Sequence, residues 1–95
     1  KSIKQLPNVS SSQSLPTTIV FRIKNRLARN YKLRDWERLD KIEGDGSHVI
    51  VNKNEDLNNL LKRIMRYGTE CEIISPKFMR EEMIELINRT LAKYQ

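Results

Sequence analysis

The sequence contains little of the chemistry from which small enzymes and metal proteins are built. Its 95 residues include one cysteine and one histidine, which excludes a disulfide within the chain and a zinc site made of cysteines. No paired carboxylates, metal ligands or activated nucleophiles occur at a motif spacing, so we expect neither catalysis nor a cofactor. Cys71 falls on the apolar side of an alternating segment, and we expect its thiol to be buried as a small hydrophobe.

Long apolar runs are also missing. No stretch approaches the ~20 residues that a membrane-spanning helix needs, and we expect no signal peptide. We therefore expect a cytoplasmic protein. The length suffices for one domain with one modest core. Because the chain begins with Lys1 rather than methionine, we expect it to be a module of a longer protein.

Positive charge is abundant, with a formal net charge of +6. The segment from Arg22 to Arg38 carries seven basic residues and two acidic ones. Such a segment could attract the phosphates of a nucleic acid, but it is equally typical of the solvated face of an amphipathic helix. The candidates for effector or nucleic-acid binding are Arg22, Arg26, Arg29, Arg34 and His48.

The first part of the chain differs in composition from the rest. Residues 1–15 have no sustained hydrophobic period, and Ser10 to Ser14 has the composition of a linker. We interpret residues 1–15 as a linker together with the tail of a preceding domain. We expect residues 16–95 to form the folded domain.

The first half of the folded part predicts a strand, a helix and a hairpin. Residues Thr17 to Ile23 are rich in β-branched and aromatic residues, and their apolar residues Ile19, Phe21 and Ile23 alternate, which indicates a strand. We expect a helix over Lys24 to Leu33 and a strand over Asp35 to Glu43. Gly44-Asp45-Gly46 then makes a tight turn, and Ser47 to Asn52 is the return strand.

The second half predicts two more helices and a strand. Asn54 is a candidate cap for a leucine-rich helix that Gly68 ends, with Arg63 and Arg66 complementing its dipole. Glu70 to Ile74 alternates like a strand. Ser75-Pro76 can begin the last helix, with serine as the cap. That helix carries one apolar stripe: Met79, Met83, Leu86, Ile87, Leu91 and Tyr94.

The element order β-α-β-β-α-β-α predicts an α+β, ferredoxin-like sandwich with an added C-terminal helix. Strands 1 and 3 are then central. The predicted helix-facing residues of the sheet are Ile19, Phe21, Ile23, Val49, Val51, Cys71 and Ile73. The predicted opposite face holds Thr18, Val20, Arg22, His48, Ile50, Glu70, Glu72 and Ile74.

Apolar residues on that opposite face indicate a surface covered by a partner or by the extra helix, although single exposed apolar residues are normal. Trp36 is either an aromatic anchor or ordinary sheet-edge packing. The interface candidates are Val20, Trp36, Ile50 and Ile74.

The ordered set of these segments resembles one family. The segments are Asp45-Gly46-Ser47 at the hairpin, Gly68 after the leucine-rich helix, and Ser75-Pro76 before the last helix. Over about residues 17 to 95 the chain resembles the WCX domain, the C-terminal extension of WYL-domain bacterial transcriptional regulators.

The resemblance implies a regulatory and dimerisation module. Its implied partners are a second copy and the WYL domain of the same chain, with DNA bound by an absent N-terminal helix-turn-helix domain. A nucleic acid or nucleotide is the implied effector, and no membrane is involved. Two alternatives stay open: a free-standing nucleic-acid-binding module and a small-ligand sensor of ferredoxin-like architecture.

Overall fold

One antiparallel sheet and three α-helices make up residues 17–95, the part of the chain that the structure, a computed structural model, describes. The fold is therefore α+β, as predicted, and the linker predicted over residues 1–15 lies outside the described residues. The strands lie in the order β2-β3-β1-β4, so that β1 and β3 are central. The elements are β1 (Thr18–Ile23), α1 (Asn25–Asn30), β2 (Glu37–Ile42), β3 (His48–Lys53), α2 (Leu57–Tyr67), β4 (Cys71–Ser75) and α3 (Lys77–Ala92).

The core lies between one face of the sheet and the helices. β1 contributes three side chains of zero exposure, because its alternating apolar residues all point to that face. α2 adds the largest helical share, since its apolar residues recur every three or four positions. The buried core cluster is Ile19, Phe21, Ile23, Ala28, Ile50, Leu60, Leu61, Ile64, Ile73 and Met79.

The predicted facing of β3 is wrong by one residue. Phe21 is paired with Ile50, and directly opposed residues share a face, so Ile50 points into the core. Val49 and Val51 lie on the opposite face, although both are nearly buried. β3 carries apolar residues on both faces, so the sequence alternation could not show which face points to the helices. The pairing register with β1 shows it.

The glycine turn joins β2 and β3 as predicted. The N–H of Gly46 donates to the carbonyl of Glu43 at 2.9 Å, and the Glu43 N–H donates to the carbonyl of Ser47 at 2.8 Å. Gly46 has φ of +89°, which glycine adopts readily. The carboxylate of Asp45 accepts from the Ser47 N–H at 2.9 Å and closes the turn.

Each of the three helices has an end or a cap that differs from the prediction, and the strand bounds differ by one or two residues. α1 ends at Asn30 rather than Leu33, because Tyr31 is extended (φ −71°, ψ 131°) and directs its ring into the protein. The cap of α2 is Asp56, whose side chain accepts from the Asn59 N–H at 3.0 Å; Asn54 instead has φ of +66°.

The start of α3 also differs. Ser75 ends β4 and supplies no cap, and Pro76 occupies the cap position without a side-chain bond. The stripe on α3 is only partly used: Met79 is buried, and Met83 packs against the core. Because Met79 belongs to the same core as residues of α1 and α2, α3 lies on the same side of the sheet as the other two helices. Within residues 17–95, no helix has the length and apolar composition needed to cross a membrane.

Gly68 ends α2 in a conformation that side chains disfavour, with φ of 66° and ψ of −135°. We predict that Gly68→Ala lowers the free energy of unfolding by about 1–3 kcal/mol, because a Cβ strains this backbone region. Gly44→Ala is the matched control, since Gly44 is open on all sides and has no positive φ. Urea unfolding followed by circular dichroism measures both; an equal effect of the two changes would contradict the role of Gly68.

Candidate functional site

A buried arginine on α2 gathers polar groups from four other segments. Arg63 is 4% exposed, whereas the sequence predicted only that it complements the helix dipole. Spacing explains its position: it lies three residues after Leu60 and four before Tyr67, on the inward face of α2. The residues that surround the guanidinium, which we call the Arg63 cluster, are Tyr31, Glu37, Asn52, Glu55, Arg63 and Tyr67.

Every N–H direction of the guanidinium meets an acceptor. Nε donates to Glu55 at 3.2 Å, and Nη2 donates to Glu55 at 2.5 Å and to Glu37 at 2.9 Å. Nη1 donates to the hydroxyl oxygens of Tyr31 at 2.7 Å and Tyr67 at 3.0 Å. A buried charge is tolerated when it is paired and fully hydrogen-bonded, and Arg63 meets both conditions.

Glu37, on β2, has a side chain of zero exposure. It accepts from the backbone N–H of Arg34 at 3.0 Å, the hydroxyl of Tyr31 at 2.8 Å and the amide of Asn52 at 2.8 Å. Burial by itself raises the pKa of Glu37, but the bonds from Arg34 and Arg63 outweigh it, and the pKa is held below its ordinary value.

Glu55 joins the loop before α2 to the same cluster. Its carboxylate accepts from the indole N–H of Trp36 at 2.9 Å and from Asn52 at 2.8 Å, in addition to Arg63. Burial raises the pKa of Glu55, and the bonds from Arg63, Trp36 and Asn52 lower it by more. The carboxylates of Glu37 and Glu55 are therefore both ionised at neutral pH, and the cluster holds the hairpin, the end of α1 and α2 together.

The single thiol at the edge of the core is also in an unreactive state. Burial raises the pKa of the Cys71 thiol to about 12, so the thiolate that nucleophilic or redox chemistry requires is not formed at neutral pH. The cysteine is half-buried at the edge of the core, close to its predicted burial. Among residues 17–95, no group of three or more His, Cys, Asp and Glu side chains could hold a metal ion.

The structure separates the predicted effector residues. Arg22 lies on the sheet face directed away from the helices, where Nε donates to Glu43 at 2.6 Å and Nη1 donates to Glu72 at 3.0 Å. Hydrogen bonding to Glu43 raises the pKa of Arg22. His48 is half-buried on the other face, paired with Ile23. These two residues therefore lie on opposite faces of the sheet and do not form one site.

The other three predicted basic residues lie together. Arg26 and Arg29 are exposed on α1, and Arg34 follows in the next loop with its guanidinium 5.9 Å from the ring centre of Tyr31. They are therefore on the helix side of the protein. Arg22 lies on the other side of the sheet.

The predicted interface residues also occupy different surroundings. Ile50 is 1% exposed and belongs to the core, so its prediction as an interface residue is wrong. Val20 is half-buried on the same sheet face as Arg22, and Ile74 is half-buried beside an irregularity in the β1–β4 pairing. Trp36 is 45% exposed immediately before β2.

A second apolar surface was missed by the sequence analysis. The second half of α3 exposes Ile84, Ile87 and Leu91, each at 44% or more, and Tyr94 beyond it. Beside them a groove of about 440 Å³ runs between α2, β4 and α3. The stripe itself was visible in the sequence, but the exposure of its second half was not.

One family resembles this chain across most of the described fold. The sequence model of the WCX domain matches residues 15–91. No curated protein matches the chain. The matched range contains both central strands, the Arg63 cluster and most of α3.

Removing the buried guanidinium should leave two carboxylates without their cation. We predict that Arg63→Met lowers the free energy of unfolding at pH 7 by about 3–5 kcal/mol, the usual cost of breaking a buried ion pair on one side. Arg66→Met is the matched control, because Arg66 is exposed one turn further along α2. Chemical unfolding of both variants tests this; equal midpoints would show that Arg63 does not stabilise the fold.

The free energy of unfolding at acidic pH should depend on the same two carboxylates, Glu37 and Glu55. Their folded pKa values are depressed, so their contribution is present above the unfolded value of about 4.3 and is lost as pH falls through the folded values. We predict that Glu37→Gln destabilises at pH 7 by about 1.5–3 kcal/mol, and that its difference from the parent shrinks below pH 4. Exposed Glu81→Gln is the control. A difference independent of pH would contradict this assignment.

Proposed function

We propose that this chain, which belongs to the WCX domain family, serves as the C-terminal regulatory domain of a WYL-type, helix-turn-helix bacterial transcriptional regulator. In this role it self-associates, contacts the WYL domain of its own chain and responds to an effector in the cytoplasm, while DNA is bound by an N-terminal domain. The family match supports the regulatory setting. The protonated Cys71 and the fully engaged carboxylates of the Arg63 cluster support a role without catalysis.

The ferredoxin-like architecture is part of the same proposal. Its support is the strand order, with β1 and β3 central, and antiparallel pairing of each neighbouring pair. α1 and α2 both contribute to one core on one face. α3 is the added element, packed beside β4 on that same side.

The observation that carries the dimerisation proposal is the exposed apolar part of α3. Ile84, Ile87 and Leu91 recur at steps of three and four on one side of the helix, so they form a continuous ridge rather than scattered residues. The ridge borders the groove beside α2. A second copy would bring a ridge to this groove by the self-complementary contact that a two-fold dimer requires.

The opposite sheet face fits a nucleic-acid partner less well. Ferredoxin-like RNA binders stack bases on aromatic residues of that face. Here Val20 and Arg22 of β1 are opposite Val51 and Val49 of β3, and Arg22 is engaged by two carboxylates. These central strands therefore offer no aromatic residue on this face on which a base could stack, which disfavours a free-standing nucleic-acid-binding module.

Disrupting the ridge should separate a dimer without unfolding the subunit. We predict that Ile87→Asp combined with Leu91→Asp converts the chain from dimer to monomer, because burying carboxylates in an apolar interface is unfavourable. Both residues are about half exposed, so the melting temperature of the variant should change little. Asn88→Asp, exposed between them, is the control for added charge on α3.

Sedimentation equilibrium over a concentration series measures this outcome. A parent chain that is monomeric at the highest concentration would overturn the dimerisation proposal. A parent and a double variant that dimerise equally would place the contact on another surface.

A further inference from the structure

The free edge of β4 borders the apolar groove. Among the described strands, β4 is at the end of the sheet and pairs only with β1. The groove, of about 440 Å³, lies between β4 and the helices α2 and α3, and its volume is in the range of ligand-binding clefts. Its wall at β4 consists of Cys71, Glu72 and Ile73. An edge strand beside such a groove is a place where an extended peptide can join a sheet.

The hydrogen-bonding phase of β4 shows which backbone groups point to its free edge. The Lys24 N–H of the β1 side donates to the carbonyl of Glu70 at 3.0 Å, and opposed residues of an antiparallel pair alternate between bonded and non-bonded pairs. Two residues further, Glu72 is therefore in a bonded pair with β1. Cys71 and Ile73 consequently direct their N–H and C=O groups away from β1.

Two of these four outward groups already have partners. The Cys71 N–H donates to the carbonyl of Gly68, and the Ile73 carbonyl accepts from Nη1 of Arg80. The Cys71 carbonyl and the Ile73 N–H bond to no other residue within 17–95. One acceptor and one donor therefore remain, on either side of Glu72. A single residue of a parallel strand satisfies this pattern with its own N–H and C=O groups.

Arg80 places a positive charge at the end of this site. Its side chain is 45% exposed, and Nη1 lies 3.6 Å from the Glu72 carboxylate, which is too far for a hydrogen bond. In the described part of the chain only Nη1 is hydrogen-bonded, so other N–H groups of the guanidinium remain for an acceptor. Because Arg80 occupies the Ile73 carbonyl, an added strand ends at this point. The group that ends a chain and pairs with a guanidinium is the C-terminal carboxylate.

We propose that this edge binds the free C-terminus of a partner polypeptide as a short strand parallel to β4. The last residue of the partner donates its N–H to the Cys71 carbonyl, and its carboxylate accepts from the Ile73 N–H and from Arg80. That residue shares the sheet face of Glu72, so the side chain before it points to the helix side and enters the apolar groove. An apolar residue is therefore expected at the penultimate position. The inference goes beyond the regulatory role proposed above and does not depend on dimerisation.

A labelled peptide tests the chemistry of this ligand by fluorescence anisotropy. The probe is a hexapeptide of sequence Gly-Ser-Gly-Ser-Leu-Ser with an N-terminal fluorescein and a free C-terminal carboxylate. The same peptide with a C-terminal carboxamide should bind about 10- to 150-fold more weakly, the range for losing a hydrogen bond to a charged group. Alanine in place of the penultimate leucine should weaken binding by about tenfold, since less apolar area is buried in the groove.

Variants of the chain test the assigned contacts. Arg80→Gln should reduce the preference for carboxylate over carboxamide to less than about threefold, because the cation that distinguishes the two peptides is removed. A purely structural role of Arg80 would weaken both peptides alike and keep their ratio. Arg89→Gln, exposed on the same helix, is the matched control and should keep the ratio of the parent. Met65→Gln, in the wall of the groove, should reduce the preference for leucine over alanine. Circular dichroism establishes that each variant is folded.

The results also separate this inference from the dimerisation proposal. Equal binding of the carboxylate and carboxamide peptides to the parent, or no binding at millimolar peptide, would overturn the inference. A dimeric chain that ignores both peptides would show that a second copy takes the groove instead. A parent that is monomeric by sedimentation yet prefers the carboxylate peptide would support the inference while the dimerisation proposal fails. Arg80 is outside the ridge of Ile84, Ile87 and Leu91, so Arg80→Gln should leave the oligomeric state unchanged.

Discussion

The fold depends on how one guanidinium is placed under the helices. Arg63 satisfies all of its N–H groups on side chains that come from the end of α1, from β2, from the loop before α2 and from α2 itself. An arginine buried without these partners would be far more costly than a leucine at the same place. Each of those segments is consequently constrained to one position relative to α2, which apolar packing alone enforces less strictly.

This constraint links the stability of the domain to its surface. Because Tyr31 turns inward to reach Arg63 and Glu37, α1 ends early and the basic loop that follows is held against α2. Because Glu55 accepts the indole N–H, Trp36 is oriented although half of it is exposed. The carboxylates of Glu37 and Glu55 are engaged in the interior, so the placement of Trp36 at the surface depends on the buried cluster.

The periodicity of the sequence predicted the helices and strands well, but it predicted the environments of individual side chains less well. The strands, the glycine turn, the end of α2 at Gly68 and the central places of β1 and β3 followed from alternation, turn chemistry and connection rules. The direction of the Ile50 side chain could not be predicted from alternation, because β3 is apolar on both faces. Only the pairing of Ile50 with Phe21 shows that it points into the core. The Arg63 cluster was equally invisible, because its members are separated by up to 36 residues, from Tyr31 to Tyr67. The one indication in the sequence was the spacing of Arg63 from Leu60 and Tyr67, which places all three on the same face of α2.

The most direct test of this account is a double-mutant cycle between Arg63 and Glu37, with Arg63→Met and Glu37→Leu as the single changes. If the cluster holds the fold together, the double variant should be more stable than the sum of the single losses predicts, with a coupling free energy of about 2–3 kcal/mol, at the upper end for residues in direct contact. Additive losses, with a coupling within about 0.5 kcal/mol of zero, would contradict it.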